Sequence, residues 1–218
     1  MLRIDDTDRS RNNDAFLDVI YQALDYLGLD YDQTFKQSDR ADRHLQVAQD
    51  LLKQGRAVAR DGAIFLDHPL DKSPSFQYFT DDAVGKVAVT QADHDFVRNM
   101  VLIKSDGTPT YHFASVVDDI DHGVNYVLRG ADHISNTVKQ AALYLALGAP
   151  LPRYGHVGLL HDHATGKKLS KSTGAPSLLD YKTQDIDPDA MCNFLLRLGW
   201  GPKVDDKSTA AALWVSYP

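Results

Sequence analysis

Cysteine is almost absent from the sequence, since Cys192 is the single one in 218 residues. A lone cysteine cannot form an intrachain disulfide, which excludes the covalent framework of small secreted domains. The first residues, MLRIDDTDRSRNND, are charged at once and contain no apolar signal region. No run of about 18 apolar residues occurs either, which argues against a membrane-spanning helix. These absences predict a protein of the reducing cytoplasm.

The sequence also lacks an excess of positive charge, because its formal net charge is −7. This argues against a basic nucleic-acid footprint over the whole surface, so any RNA contact must use local basic segments. One such segment is 166–174, which carries Lys167, Lys168 and Lys171 and lies in a stretch, 163–179, that has no acidic residue. On composition alone, three lysines are more often a solvated loop than a binding site.

Two common ligand motifs are missing as well. No Gly-x-x-x-x-Gly-Lys-Ser/Thr sequence is present, which excludes a P-loop nucleotide site. His156, His161 and His163 could suggest a metal, with the last two as the nearest pair. A third ligand at a familiar zinc spacing is missing, so we expect no zinc site.

Apolar periodicity and turn residues predict an alternation of strands and helices. Strands are predicted at 2–4, 57–60, 63–67, 84–89, 100–104, 124–128 and 154–160, with a hairpin turn at Asp61-Gly62. Helices are predicted at 16–27, from about 39 to 52, around 138–145 and at 188–198. Segment 111–117 fits either a helix or a strand, and 69–82 is predicted to be a loop because it is polar and has two prolines. The alternation predicts an α/β fold with a parallel sheet.

Two acidic clusters are candidate sites. Segment 3–11 places acids and arginines at the carboxyl end of a predicted strand, where ligands bind in open α/β sheets. The alternative is a capped helix start with surface ion pairs. Asp118, Asp119 and Asp121, near Tyr111, could hold a divalent metal. Closely spaced acids in a loop are more often solvated, and that alternative is favoured.

Two basic clusters are further candidates. Arg129 and Asp132 lie between a predicted strand and a helix, and a guanidinium can hold a carboxylate through two parallel hydrogen bonds. Asp132 or Ser135 could instead cap that helix. Segment 167–174 combines lysines, hydroxyls and a glycine. That composition suits a loop that wraps a triphosphate and stabilises charge during attack on phosphorus.

Several segments share their order and spacing with one known family. They are LRIDDTDR (2–9), KSDGTPTYHF (104–113), VVDD (116–119), VLRGADHISNT (127–137), GKKLSKSTGA (166–175) and LLRLGW (195–200). Residues 168–172, Lys-Leu-Ser-Lys-Ser, are similar to the Lys-Met-Ser-Lys-Ser loop of class I aminoacyl-tRNA synthetases. Taken together the segments resemble glutamyl-tRNA synthetase, and the resemblance covers most of 2–201.

The resemblance implies the distal part of a class I, Rossmann-like nucleotide-binding domain with a parallel sheet. Its segments would be a first-half remnant at 1–59, a shortened acceptor-stem-binding insertion at 60–107, the second half with the lysine loop at 108–176, and the start of a helical stem-contact region at 177–218. It also implies a two-step reaction. Glutamate attacks the α-phosphate of ATP, which Mg²⁺ accompanies, and the glutamyl group then moves to the terminal adenosine of tRNA.

The resemblance further implies roles for individual residues. Tyr111, Ser115 and Arg129 would contact glutamate, and Asp5 would meet its amino group. Four residues would bind ATP, namely Asp132, Lys168, Ser170 and Lys171. Lys168 and Lys171 would also be catalytic by stabilising the triphosphate, with Lys171 matching the family's more catalytic lysine. Three residues would lie near the end of tRNA, namely Thr7, Asp8 and Arg11.

The sequence departs from the family pattern in several places. The Pro-Ser-Pro-Thr-Gly turn and the His-Ile-Gly-His helix start would precede Met1. We therefore expect a partner segment or chain to complete the sheet, and we expect this chain alone to be inactive. Asp5 replaces the family's usual glutamate, and Ser172 stands where arginine is more common. Segment 57–100 contains no cysteine-rich zinc element.

Two alternatives to a glutamate–tRNA ligase remain open. Glutamyl-queuosine tRNA synthetase also lacks an anticodon domain, but LRIDDTDR and the SNT at 135–137 are closer to the full synthetase. A non-catalytic paralogue that binds glutamate, tRNA or a protein partner would fit the missing ATP half. The intact lysine loop argues against that second alternative.

Overall fold

The computed structural model describes residues 1–7, 14–67, 77–163, 165–169 and 176–199. Contacts between residues divide the chain into two units. The first consists of Met1–Asn12 and Tyr31–Val157, and the second of Asn13–Asp30 and Gly158–Pro218.

The described strands and helices follow the predicted alternation closely. The strands are β1 (Leu2–Ile4), β2 (Thr34–Lys36), β3 (Ala57–Arg60), β4 (Ala63–Leu66), β5 (Tyr78–Asp81), β6 (Gly85–Ala88), β7 (Val101–Ile103), β8 (Tyr126–Gly130) and β9 (Arg153–Val157). The helices are α1 (Asp14–Tyr26), α2 (Ala41–Lys53), α3 (Gln91–Arg98), α4 (Tyr111–Asp121), α5 (Ile134–Leu147), α6 (Leu178–Thr183) and α7 (Pro188–Gly199).

Three differences from the sequence predictions have physical explanations. The ambiguous segment 111–117 lies in helix α4, whose continuous apolar run is buried on several sides. The loop prediction for 69–82 is wrong at its end, because Tyr78–Asp81 forms strand β5 between two partner strands. Strand β2 and helices α3 and α6 were not predicted, because each is short, at eight residues or fewer.

The first unit has a mixed set of sheets. Parallel pairs join β1 to β2, β5 to β9 and β8 to β9, which agrees with the prediction that the sheet contains parallel strands. Antiparallel pairs add β6 to β5 and build a separate sheet in the order β3-β4-β7. The four-stranded sheet has the order β6-β5-β9-β8, and in it Arg129 pairs across the strands with His156.

The core of the first unit is formed where α2, α4 and α5 pack with β4 and β7. Leu66, Leu102, Phe113 and Leu143 are among its fully buried side chains. Burying each such side chain contributes about 1.5–3 kcal/mol. Residues of segment 60–107 share this core with residues of 108–157. The functional division of the chain into segments at 59, 107 and 176 stays a prediction.

The buried carboxylate of Asp118 connects helix α4 to segment 37–44, which includes the start of α2. Asp118 is fully buried and accepts hydrogen bonds from Gln37 Nε2 (2.9 Å), Arg40 Nε (2.7 Å) and His44 Nε2 (2.8 Å). Burial raises the pKa of Asp118, but these three hydrogen bonds outweigh it and leave the pKa below its usual value. The prediction of solvated acids in a loop is therefore wrong for Asp118, because donors distant in sequence surround it.

The second unit joins α1 to the helices that end the described chain. The Tyr26 hydroxyl donates to the Ile186 carbonyl at 2.7 Å, and the Cys192 thiol donates to the Leu27 carbonyl at 3.6 Å. The Asp187 carboxylate accepts the backbone N–H groups of residues 189 and 190, which confirms the predicted start of α7. In neither unit does a described helix have the length and apolarity that crossing a membrane requires.

Replacing Asp118 by alanine should destabilise the first unit strongly. The change leaves the guanidinium of Arg40 and the ring of His44 without their buried acceptor, so the free energy of unfolding should fall by about 3–5 kcal/mol. Asp50→Ala is the control, because Asp50 is 44% exposed and pairs with the exposed Lys53. That variant should change stability by about 0.5 kcal/mol or less. Urea denaturation measures both, and equal losses in the two variants would contradict this account of Asp118.

Candidate functional site

Arg129 is a partly buried cation at the end of β8. Its guanidinium donates through Nε to His156 Nε2 (3.1 Å), through Nη1 to Gln140 Oε1 (2.8 Å) and through Nη2 to Thr137 Oγ1 (2.7 Å). All three acceptors are uncharged side chains, and within the described ranges no carboxylate forms an ion pair with Arg129. Arg129 is therefore oriented by the protein while its charge stays available to an anion.

Tyr111 lies near Arg129 at the first turn of α4. Burial raises the pKa of Tyr111, and the nearby Asp5 carboxylate raises it further, while Arg129 and Arg3 lower it. Because these charges act on one hydroxyl, Asp5, Tyr111 and Arg129 occupy the same region of the first unit. The structure thus brings together three of the residues that the resemblance assigned to glutamate.

Arg3 organises the acids of this region. Its guanidinium donates through Nε to Asp5 Oδ1 at 2.7 Å and through Nη1 to Asp119, and it reaches the Ser115 carbonyl at 3.5 Å. Burial raises the pKa of Asp119, and Arg3 offsets only part of that effect. Arg3 lies in the 3–11 cluster but was not assigned a role, because its partner Asp119 is 116 residues away.

Ser115 is buried next to this ion-pair cluster. Its side chain is 1% exposed, and its hydroxyl has no hydrogen-bond partner within the described residues. A buried hydroxyl without a partner is costly unless a ligand or water supplies one. The predicted contact of Ser115 with glutamate stays a prediction.

A cleft of about 220 Å³ opens beside the carboxyl end of β1. Its lining includes Asp6 and Thr7 after β1, Ser38 after β2, and Asp106 and Thr108 after β7. The Asp6 carboxylate accepts the Ser38 backbone N–H (2.8 Å) and hydroxyl (2.6 Å), which holds two walls of the cleft together. Thr7, predicted to lie near the tRNA end, faces this space, whereas Asp8 and Arg11 lie outside the described residues.

The residues predicted to bind ATP are divided between the two units. Asp132 lies in a single 3-10 turn, Ala131–His133, directly after β8. Helix α5 begins after His133 without a side-chain cap, so the alternative that Asp132 or Ser135 caps it is wrong. Lys168 lies in the second unit, in an exposed turn that pairs with His161. Ser170 and Lys171 lie outside the described residues.

Potential metal ligands are dispersed within the described ranges. Those ranges contain no group of three or more His, Cys, Asp or Glu side chains that could hold a metal ion. Asp119 and Asp121 instead pair with arginines, and His156 bonds to Asp81 at 2.6 Å. The metal alternative for the acidic cluster therefore has no support in the geometry.

Sequence analysis missed the residues that position Arg129. Thr137 and Gln140 follow it by 8 and 11 residues and lie on adjacent turns of α5. Their spacing of three on a helix was a usable signal. Asp81 and His156 could not be paired from sequence, because 75 residues separate them.

Comparison with known proteins identifies the family of this fold and site. The family model described as tRNA synthetases class I (E and Q), catalytic domain, matches residues 1–63 and 59–212. The chain is 44% identical to glutamate–tRNA ligase 2 of Neorickettsia sennetsu over 200 residues, which are 92% of this chain and 47% of that protein. It is 40% identical to glutamate–tRNA ligase 1 of Granulibacter bethesdensis, covering 92% of this chain and 50% of that protein.

Solved structures agree on the fold. A glutamate–tRNA ligase from Elizabethkingia meningosepticum, crystallised with its amino acid, superposes with a TM-score of 0.77 at 23% identity over 93% of this chain and 54% of its own. The chain spans about half the length of the curated relatives it matches. The predicted class I synthetase fold is confirmed, with a mixed sheet in place of a purely parallel one. By its sequence and its fold, the chain belongs to the class I tRNA synthetases (E and Q), whose catalytic domain it matches.

Proposed function

We propose that this chain carries the glutamate site of a glutamate–tRNA ligase. The observation that carries the proposal is Arg129, a partly buried cation held by three neutral acceptors. The proteins that this chain resembles include glutamate–tRNA ligases, one of them crystallised with its amino acid. Such an enzyme joins glutamate to ATP as an adenylate and passes the glutamyl group to the 3′ end of tRNA.

The charges of the site match those of glutamate. The side-chain carboxylate of the substrate would accept hydrogen bonds from Arg129 and from the Tyr111 hydroxyl. The ammonium group would lie against Asp5, whose charge Arg3 partly offsets at 2.7 Å. Glutamine would turn an amide N–H₂ towards the guanidinium, and two donors facing each other leave a hydrogen bond unmade. The site should therefore select glutamate.

Activation of glutamate requires stabilisation of the charge that moves onto pyrophosphate. Lys168 and Lys171 would supply cations to that leaving group, and Ser170 and Asp132 would contact ATP. Mg²⁺ would enter bound to the ATP phosphates as part of that substrate. Lys168 lies in an exposed turn, which is compatible with a loop that closes over a triphosphate.

The cleft beside β1 supports a place for the end of tRNA. Thr7 lines it together with Ser38 and Thr108, whose N–H and hydroxyl groups donate to Asp6 and Asp106. Asp8 and Arg11 follow Thr7 directly in sequence, and we propose that they extend this contact. The cytoplasm, predicted from the single cysteine, would supply both tRNA and ATP.

A second polypeptide segment would complete the sheet at β8. This strand lies at an edge of its sheet among the described strands, and Leu128 in it is 64% exposed. An open strand edge with an exposed apolar side chain suits pairing with a further strand. We propose a family-like segment with the His-Ile-Gly-His helix start as that partner.

Glutamate binding should depend on Arg129 and should exceed glutamine binding. Arg129→Ala removes the cation that pairs with the side-chain carboxylate, which costs about 1–3 kcal/mol, or roughly 5- to 150-fold in affinity. Arg153→Ala is the control, because that guanidinium is 75% exposed and pairs with Asp82. NMR titration of both amino acids measures the affinities. Equal affinities of wild type and Arg129→Ala for glutamate and glutamine would refute the assignment.

The purified chain alone should not catalyse glutamate-dependent exchange of pyrophosphate with ATP. The 218 residues span about half the length of the glutamate–tRNA ligases that they match, and each preorganised transition-state contact supplied from outside them is worth a factor of about 100–1000 in rate. Adding the family-like segment with the His-Ile-Gly-His start should restore exchange. Robust exchange by the 218-residue chain alone would overturn the prediction, and binding of glutamate without exchange after completion would favour a non-catalytic paralogue.

The lysine loop should affect chemistry more than folding, and its lysines should differ. In the completed enzyme, Lys171→Ala should lower the adenylation rate with little change in the glutamate KM, because that contact strengthens in the transition state. Lys168→Ala and Lys171→Ala should leave the melting temperature nearly unchanged. Lys167→Ala is the matched control and should be far milder. If all three rates stay within about twofold of wild type, the loop is merely solvated.

A further inference from the structure

A buried carboxylate from β5 contacts the ring that orients Arg129. Asp81 is 2% exposed, and its Oδ2 lies 2.6 Å from His156 Nδ1. Its Oδ1 accepts backbone N–H groups from Ala83 (2.9 Å), Val84 (3.0 Å) and His156 (3.2 Å). Every contact of this carboxylate is thus with a hydrogen-bond donor. Its Oδ1 binds backbone N–H groups, and its Oδ2 binds the imidazole of His156.

The protonation state of Asp81 follows from these contacts. Burial raises the pKa of Asp81, but the His156 side chain and the three backbone N–H groups together outweigh it and lower the pKa to about 2. At neutral pH the carboxylate is ionised and can only accept hydrogen bonds. His156 Nδ1 must therefore carry a proton.

The other nitrogen of His156 is then the acceptor that Arg129 needs. A neutral imidazole with a proton on Nδ1 has its lone pair on Nε2. Arg129 Nε, which can only donate, lies 3.1 Å from that Nε2. The Thr137 hydroxyl, 3.1 Å from the same nitrogen, accepts from Arg129 Nη2 and donates to the His133 carbonyl at 3.3 Å. The contacts of the ring with Asp81 and with Arg129 both require the proton on Nδ1 and the lone pair on Nε2.

The strand order explains how residues so distant in sequence meet. β5, β9 and β8 are neighbours in the sheet, with Asp81 opposite Tyr154 and Arg129 opposite His156. His156 lies in the central strand of the three and is fully buried. The Asp81 side chain on β5 is therefore connected to the Arg129 guanidinium on β8 by hydrogen bonds to the His156 imidazole between them.

We propose that Asp81 is a positioning residue for the glutamate site, because it fixes the tautomer of His156 that accepts from Arg129 and so aims Arg129 at the substrate carboxylate. The proposal rests on the proposed function of Arg129. It adds a residue of segment 60–107, to which the resemblance gave only a contact with the acceptor stem.

Asp81→Asn separates this role from a structural one. The three backbone N–H groups around Oδ1 would hold the amide oxygen of the new side chain in that place. The N–H₂ group would then face His156 Nδ1, which must become the acceptor, so the ring proton moves to Nε2. Two donors, His156 Nε2–H and Arg129 Nε–H, would oppose each other, and Arg129 would lose its orientation.

The expected effect is a loss of glutamate affinity in a folded protein. An unpaired buried donor beside the binding cation should weaken glutamate binding about tenfold to a hundredfold. Asp82→Asn is the matched control, because it removes the same charge at the next residue. The Asp82 carboxylate is about one-third exposed and accepts from Arg153 at 2.8 Å. That control should bind glutamate as the wild type does.

The experiment combines glutamate titration with ¹⁵N NMR of the full 218-residue chain. The wild type and Asp82→Asn should show His156 protonated on Nδ1, and Asp81→Asn should show it protonated on Nε2 with the Arg129 Nε–H signal shifted. An Nε2-protonated His156 in the wild type would overturn the proposal without any variant, which decides the case if Asp81→Asn fails to fold. A reversed tautomer with unchanged glutamate affinity would overturn it too.

Failure of the proposed function gives a different pattern. If the wild type binds no glutamate, the glutamate assignment of Arg129 fails. The NMR signals of His156 and Arg129 still report on the hydrogen bonds that connect Asp81 to His156 and His156 to Arg129. An unshifted Arg129 Nε–H signal in Asp81→Asn would then show that Asp81 does not position the guanidinium.

Discussion

The buried charge of Asp118 is the constraint on which the arrangement of the first unit depends. A carboxylate removed from water must be paired and hydrogen-bonded, and three side chains from segment 37–44 meet that requirement. Their bonds fix helix α4 against α2. Because Tyr111, Ser115 and Asp119 all belong to α4, the same bonds determine where the candidate site residues lie.

Arg129 shows the opposite treatment of a charge. Asp118 is saturated by protein donors, among them the cation Arg40, whereas Arg129 contacts only neutral acceptors within the described residues. Neutral acceptors orient a guanidinium without cancelling its charge. This contrast distinguishes a charge that holds the fold together from one that the proposed function assigns to an anionic ligand. It also explains why a cluster of acidic residues in the sequence did not by itself predict where the candidate site lies.

Local sequence signals predicted the elements well, and contacts between distant residues limited the rest. The prediction of a turn at Asp61-Gly62 is confirmed. Both residues adopt positive φ (50° and 78°), which few other residue pairs accept. The helix predicted around 138–145 is present as α5, which ends where Gly148 adopts φ 70°. Strand β5 was missed because its partners in β6 and β9 define it, and Asp118 was misjudged because Arg40 is 78 residues away. Motif resemblance singled out Arg129, but not the side chains that orient its guanidinium.

The pairing of Arg129 with His156 across β8 and β9 links ligand binding to strand register. Side chains alternate between the faces of a sheet, so a slip of one residue would carry Arg129 to the opposite face from Thr137 and Gln140. An anion bound to Arg129 would therefore favour the native register over every shifted one, and by mass action it would stabilise this pair of strands in proportion to its concentration. Under the proposed function that anion is glutamate, which would then stabilise the folded sheet edge and slow hydrogen exchange in β8 and β9 as it is added.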